Sequence, residues 1–348
     1  MGIIVLHSIE HFNFGSYPDT SAQSAWLNFT DKAIWDGLFF MFGGKAYAVF
    51  ALLFGFSFFI QDNNQQMKGK DFRLRFCWRL VLLFLFGNLN ASFFTAEVLV
   101  LYSLVGFILV PTCRLSDKTV LILACLLLIQ PLPLYYTLRA TFDPTYTPLT
   151  IPTRELWMTT YQSQMSGTFL ETLRTNLWEG QLASLAWAWD HGRVFQTAAL
   201  FLLGMLAGRR RLFLQEALPV WNKICAGAII AFFPLYGINN LLPLFIENRS
   251  ILVPLSLIIS SLANFAFMLM LVSGVLFMYY RTRMQSLLRK IIPYGKMSLT
   301  NYITQSIIRI FPLLPLGTGT AQPSHHHGQL PDRNRSFLPA SGNAVNGG

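Results

Sequence analysis

Apolar residues run in stretches long enough to cross a bilayer, and polar residues are confined to the short segments between them. A hydrocarbon core about 30 Å thick needs roughly 20 apolar residues as a helix. Residues 37–60, 80–94, 97–111, 119–138, 194–208, 219–238, 251–280 and 297–316 are candidates. The start, MGIIVLH, is apolar but supplies only about two helical turns. It reads as the outer end of a span whose inner half is absent. The pattern predicts an all-α, polytopic transmembrane helical bundle of about nine spans, the first incomplete.

Charge gives the bundle a direction. Lys68, Lys70, Arg73, Arg75 and Arg79 fill one loop, Arg114 and Lys118 the next but one, then Arg209, Arg210 and Arg211, then Arg281, Arg283, Arg289, Lys290 and Lys296. With alternating spans these share a side, and retention of Lys and Arg near span ends marks it as cytoplasmic. Residues 8–36, 139–193 and 239–250 are then expected outside. The net charge of +10 suits anionic lipid headgroups flanking the spans and not nucleic acid. The expected location is a cell inner membrane, with the lipid bilayer as the main partner.

The segment 139–193 is too polar to span. It carries Trp157, Tyr161, Phe169, Leu173, Leu177 and Trp178 at helix-like intervals, predicting amphipathic helices on the outer surface. After about Gly317 the text turns rich in Pro, Gly, Ser and Asn, the composition of disorder. Residues 1–316 are thus expected to form one integral membrane domain and 317–348 a tail. Synonymous codons exist for Arg309 to Gly328 such that a one-nucleotide shift reads GSFLFYHWGLGLHSHLTIT, an aromatic-rich span end. A frameshift and a genuine flexible tail both account for the text.

The four cysteines lack CxxC spacing, and no glycine-rich phosphate loop or zinc-type pattern occurs, so neither a metal nor a bound cofactor is expected. Candidate chemistry lies in polar residues at span ends. His7, Glu10 and His11 fall on one face of a continued helix, where a histidine and a carboxylate can exchange protons or an imidazole can attack an acyl group. The plainer reading is a hydrated interfacial cluster. Lys45, inside the run 37–60, is costly against lipid unless it snorkels or pairs, with Glu97 or Asp36 the nearest expected partners.

Asn88 and Asn90 approach the same outer boundary as Glu97 through a tight turn, so amides, carboxylate, Lys45 and His7 are expected to line one polar cavity. Asn301 and Gln305, one turn apart, bridge helices or line that cavity. Asp190 and His191 are a secondary proton-transfer pair, beside tryptophans that suit either sugar binding or an interfacial belt. Gly204 and Gly208 have GxxxG spacing, predicting close helix packing.

Three blocks carry a family resemblance: KAYAVFALLFGFSFFI (45–60), RLVLLFLFGNLNASFFTAEVLVLYSLVGFILV (79–110) and YGKMSLTNYITQSII (294–308). The last is the most specific, through Ser298, Leu299, Thr300, Asn301, Tyr302, Gln305 and Ser306. Together they resemble the YeiB-type family of bacterial inner-membrane proteins, domain of unknown function 418, within the wider transmembrane acyltransferase superfamily. The resemblance covers Met1 to Ile308 and implies no established reaction for the family itself. The superfamily implies a histidine near the outer end of the first helix, preceded by a basic residue. Such a histidine passes an acyl group from a cytoplasmic acyl-CoA to an extracytoplasmic glycan or small metabolite.

His7 matches that histidine, although many YeiB-type sequences have asparagine there, and the preceding arginine would fall before Met1. YeiB-type proteins usually carry aspartate where Glu97 stands, so a carboxylate is kept. Two functional classes follow: an acyltransferase, or a transporter or membrane scaffold using the same polar residues.

Overall fold

A computed structural model describes residues 23–93, 95, 97–143, 145–148, 151–297 and 300–304. His7, Glu10, His11, Gln305 and the segment 317–348 lie outside the described residues. All regular structure among the described residues is helical, as the apolar pattern predicts.

The run 37–60 does not form one helix. α1 (Ala25–Phe42) ends at Gly43, and α2 (Lys45–Gln66) starts after Gly44, whose φ of 71° belongs to the left-handed region that glycine adopts without strain. Lys45 is therefore the first residue of a helix and not the middle of one. α3 (Arg73–Phe93) is a single long helix. The expected span 97–111 is split into α4 (Leu99–Gly106) and α5 (Leu109–Thr112).

The run 119–138 is also broken. α6 (Asp117–Leu128) and α7 (Pro131–Phe142) meet at a 49° bend. Pro131 and Pro133 supply no amide hydrogen to the preceding turn, and Gln130 takes a left-handed φ of 60°. The segment expected outside the cytoplasm does form helices, α8 (Thr153–Ser166), α9 (Phe169–Thr175) and α10 (Gln181–Asp190), with a π turn at Asn176–Gly180. Thr168 and Glu171 close a reciprocal capping box at the start of α9, which holds the Glu171 carboxyl below its usual range.

α11 (Arg193–Arg209), α12 (Leu218–Phe245), α13 (Arg249–Arg281) and α14 (Gln285–Lys296) follow. On α14, Leu287, Leu288, Ile291 and Ile292 share one face and Arg289 and Lys290 the other, the pattern of a helix lying in a membrane interface.

Four stretches among the described residues are long and apolar enough to cross a membrane: 25–66, 73–93, 215–245 and 249–281. The bent pair 117–142 would make five. Among the described residues the other expected spans do not meet that length: α4 and α11 are short, and the first expected span and most of the last lie outside the described residues. Leu85, Phe86 and Leu89 on α3, Leu121 and Ile122 on α6, and Ile230 and Phe233 on α12 are exposed, and such apolar outward faces fit a lipid bilayer.

Helices in lipid gain little from hydrophobic burial against one another, so close packing must hold them. α2 and α11 pack along small residues. A Cβ on Gly55 would overlap the Phe201 carbonyl oxygen, one on Gly204 the Leu52 carbonyl oxygen, and one on Gly208 the Phe59 ring. Gly204 and Gly208 thus do what their spacing predicts. Around this seam Phe54 stacks on Phe201 at 4.5 Å, Phe58 meets Phe76 at 4.5 Å, and Tyr102 stands edge-on to Phe201 at 5.2 Å. These rings fill the middle of the bundle and separate two polar ends.

Candidate functional site

One end carries Glu97. Its side chain is 2 % exposed, between the end of α3 and the start of α4. The backbone N–H of Leu99 donates to Oε1 at 2.6 Å, the Asn90 side-chain amide donates to Oε2, and the Tyr302 hydroxyl and the Val98 N–H also reach the carboxyl. Val98 and Leu99 begin α4, whose first amides lack partners within the helix, so the carboxylate satisfies donors that would otherwise be orphaned. The Ser184 hydroxyl of α10 donates to the Glu97 carbonyl at 3.3 Å, and the Asn176 amide to the Ser92 carbonyl at 3.0 Å. These bonds tie the π turn and α10 onto the carboxyl site.

A second group lies on the same end, around the starts of α2 and α11. Lys45 is 8 % exposed and its ammonium sits 5.3 Å from the ring centres of Phe40 and Phe267. The Arg193 guanidinium stacks on Tyr47 at 4.9 Å and on Trp187 at 5.7 Å, and its Nη1 donates to Gln196 Oε1 at 2.9 Å. Tyr47 donates to the Arg193 carbonyl at 3.2 Å and stands 2.5 Å from Thr197 Oγ1. The Tyr102 hydroxyl donates to the Tyr47 carbonyl at 2.9 Å. Tyr47 and Tyr102 therefore lie between the cations and the Tyr302 and Glu97 group.

Polar contacts continue into the bundle from Arg193. Gln196 Nε2 donates to the Ser261 carbonyl at 3.5 Å, and Gln130 Nε2 to the Ser261 hydroxyl at 3.1 Å. Gln130 is fully buried at the bend between α6 and α7, and its Oε1 has no hydrogen-bond partner among the described residues. A Cβ on Gly192 would overlap that oxygen, which is why the turn before α11 needs glycine there.

The residues singled out from the sequence are thus divided. Asn90 and Glu97 come together, and Tyr302, next to Asn301 in the chain, reaches the same carboxyl. Lys45 does not pair with either expected carboxylate: Asp36 binds Lys32 one turn away at 3.4 Å, and Glu97 is held by amides and a hydroxyl. Asn88 turns back on its own helix, donating to the Phe84 carbonyl at 2.8 Å. Asp190 accepts from the Thr153 hydroxyl at 3.1 Å, whereas His191 bonds the Trp187 carbonyl at 2.9 Å and stacks on that ring at 4.5 Å. Sequence reasoning did not select Arg193, Tyr47, Gln130, Gln196 or Ser261. The repeated glycine-then-cation step at 44–45 and 192–193, and Gln130 before Pro131 and Pro133, were the available signals.

The opposite end is basic and differently arranged. Asp117 accepts from Arg209 at 3.2 Å and Arg210 at 2.6 Å, and Asp71 pairs with Arg73 at 2.6 Å and Arg114 at 3.8 Å. The Arg73 guanidinium and N–H hold the Asp71 carboxyl down to about 2. Arg209 also donates to the carbonyls of Cys113 at 2.6 Å and Leu115 at 2.8 Å. No group of three His, Cys, Asp or Glu gathers as a metal site among the described residues.

Residues 207–328 match a family described as "Protein of unknown function (DUF418)". The chain is similar to the uncharacterized protein YxaH of Bacillus subtilis (strain 168), 25 % identical over 339 aligned positions that cover 91 % of this chain and 79 % of that protein. An uncharacterized 39.9 kDa protein in an amylase 3' region of Bacillus acidopullulyticus is 27 % identical over 92 positions, 26 % of this chain and 27 % of that protein. No solved structure matches. The DUF418 match takes in α12, α13 and α14, so it covers Ser261 and Tyr302 but not Glu97, Lys45 or Arg193.

Proposed function

We propose that this DUF418 protein is a multi-pass protein of the bacterial inner membrane. In this reading the arginine end faces the cytoplasm, and the Glu97 end transfers an acyl group to an extracytoplasmic glycan or small metabolite. The donor is acyl-CoA. The acceptor hydroxyl oxygen bonds to the acyl carbonyl carbon, the thioester C–S bond breaks, and the hydroxyl proton ends on the departing thiol. His7 relays the acyl group and Glu10 or His11 moves the proton, while Asn90, Glu97, Lys45, Asn301 and Gln305 organise the acceptor. Asp190 and His191 stand at its edge.

The observation that supports this reading is the buried Glu97 carboxyl held by Asn90 and the first amide of α4, with Lys45 and Arg193 on the same end of the bundle. Membranes containing the full-length protein, given labelled acyl-CoA, are expected to label an extracytoplasmic acceptor, and His7→Ala and Glu97→Gln to abolish or sharply reduce it. Absence of any transferred label would overturn the enzyme reading.

A transporter is the second reading, and the bend at Gln130 favours it. Interrupted helices at membrane depth are tolerated where they line a cavity or ligand path, and Gln130, Ser261 and Gln196 form a polar chain there. Uptake of a labelled solute that depends on Gln130, without acyl transfer, would select this alternative.

A further inference from the structure

We propose that the starts of α2 and α11 together form a binding site for a phosphate group. It shares Lys45 with the acyl-transfer reading but goes beyond it, since a phosphate-bearing ligand binds there whether or not an acyl group moves. The two helix starts are built alike. Each is preceded by a glycine in the left-handed conformation, Gly44 at φ 71° and Gly192 at φ 63°. Neither has a side-chain cap, and each opens with a cation, Lys45 or Arg193. They also lie side by side: a methyl group on Gly44 would stand 3.2 Å from Asn264 Nδ2 and 3.3 Å from Arg193 Nη2. Two positive dipole ends and two cations therefore converge on one place.

Nothing among the described residues neutralises them. Lys45 is 8 % exposed and its ammonium holds neither a hydrogen bond nor a carboxylate, only the faces of Phe40 and Phe267, and Arg193 is the charged group that faces it. Arg193 uses Nη1 for Gln196 and leaves Nη2 against Gly44. The nearby carboxylates are engaged, Asp36 by Lys32 and Glu97 by Asn90 and Leu99. Like charges held together away from water are costly unless an anion joins them. Ammonium, guanidinium, the Asn264 amide and first-turn backbone amides present donors from several directions, which suits the tetrahedral oxygens of a phosphate. That phosphate belongs to either a lipid headgroup or a soluble ester.

The test uses the full-length protein in detergent, titrated with inorganic phosphate against chloride at constant ionic strength and followed by thermal unfolding. In a second arm, native mass spectrometry counts retained phosphatidylglycerol. A saturable phosphate response, weakened about tenfold or more in both Lys45→Met and Arg193→Gln, identifies a soluble phosphate ligand. Retained phosphatidylglycerol that the same variants lose identifies a headgroup. A variant that does not fold is replaced by a wild-type measurement: phosphate or phosphatidylglycerol should slow acetylation of Lys45 while leaving Lys68, at the opposite end, unchanged. No response in either arm, a response that both variants retain in full, or no protection of Lys45 would overturn the site.

Discussion

The two polar ends of this bundle handle charge in opposite ways. At the arginine end carboxylates sit among the cations: Asp117 lies between Arg209 and Arg210, and Asp71 between Arg73 and Arg114. At the other end Glu97 is held by amides and a hydroxyl, while Lys45 and Arg193 lie across two tyrosines from it, beside each other and against aromatic rings. Paired and partly hydrated, beside further Lys and Arg, such an end reads as an anchor at a headgroup surface. An end that keeps its opposite charges apart carries electrostatic cost, and that is where ligand chemistry belongs.

The contrast is sharpest at Glu97. Glu97→Ala removes the acceptor from the Asn90 amide, the Leu99 N–H and Tyr302, and is expected to destabilise the protein by about 3 kcal/mol, with Glu97→Gln recovering part of it. Thermal or denaturant unfolding in detergent measures it, and a loss below about 1 kcal/mol would mean the carboxyl is not a structural centre. Lys45→Met carries the opposite sign. Removing an uncompensated buried charge is expected to stabilise the ligand-free protein by about 2 kcal/mol, and destabilisation in that assay would show that Lys45 is already neutralised.

Asp117→Ala, at the arginine end, is expected to cost about 1 kcal/mol, because its partners are partly hydrated. A gain in stability there would erase the distinction between the ends. The smallest effect concerns acid. The Asp71 carboxyl lies below its unfolded value, so its contribution is present above about pH 4 and is lost as the pH falls towards 2. Arg73→Gln should raise its titration towards the ordinary carboxylate range, readable by carboxyl-resolved NMR, and an unmoved titration would dissociate Asp71 from that guanidinium.

The helical class was legible because apolar runs dominate the chain, and the α2–α11 seam because Gly204 and Gly208 have a spacing with one main physical use. The breaks were not legible from hydropathy, which averages over them. Gly43 and Gly44 are neutral on such a scale, and Pro131 and Pro133 sit among leucines, yet each interrupts a predicted span. Misplacing the first break put Lys45 inside a helix and led to an expected ion pair with Glu97. That pair is not formed: Glu97 is taken up by Asn90, Leu99 and Tyr302, and Lys45 by the rings of Phe40 and Phe267, long-range partners that local spacing does not encode. The proximity of Asn90 to Glu97 followed from a short turn and was within reach.

The glycine seam has a mechanical consequence for the cations above it. With carbonyl oxygens standing where the Cβ atoms of Gly55 and Gly204 would be, α2 and α11 cannot slide or roll against each other without a backbone collision. Lys45, about 15 Å up the helix from Gly55, is thereby held at a fixed gauge from Arg193. Whatever fits between them is chosen by calipers whose hinge has been locked elsewhere, so a bulkier residue in the seam would first change which anions are accepted.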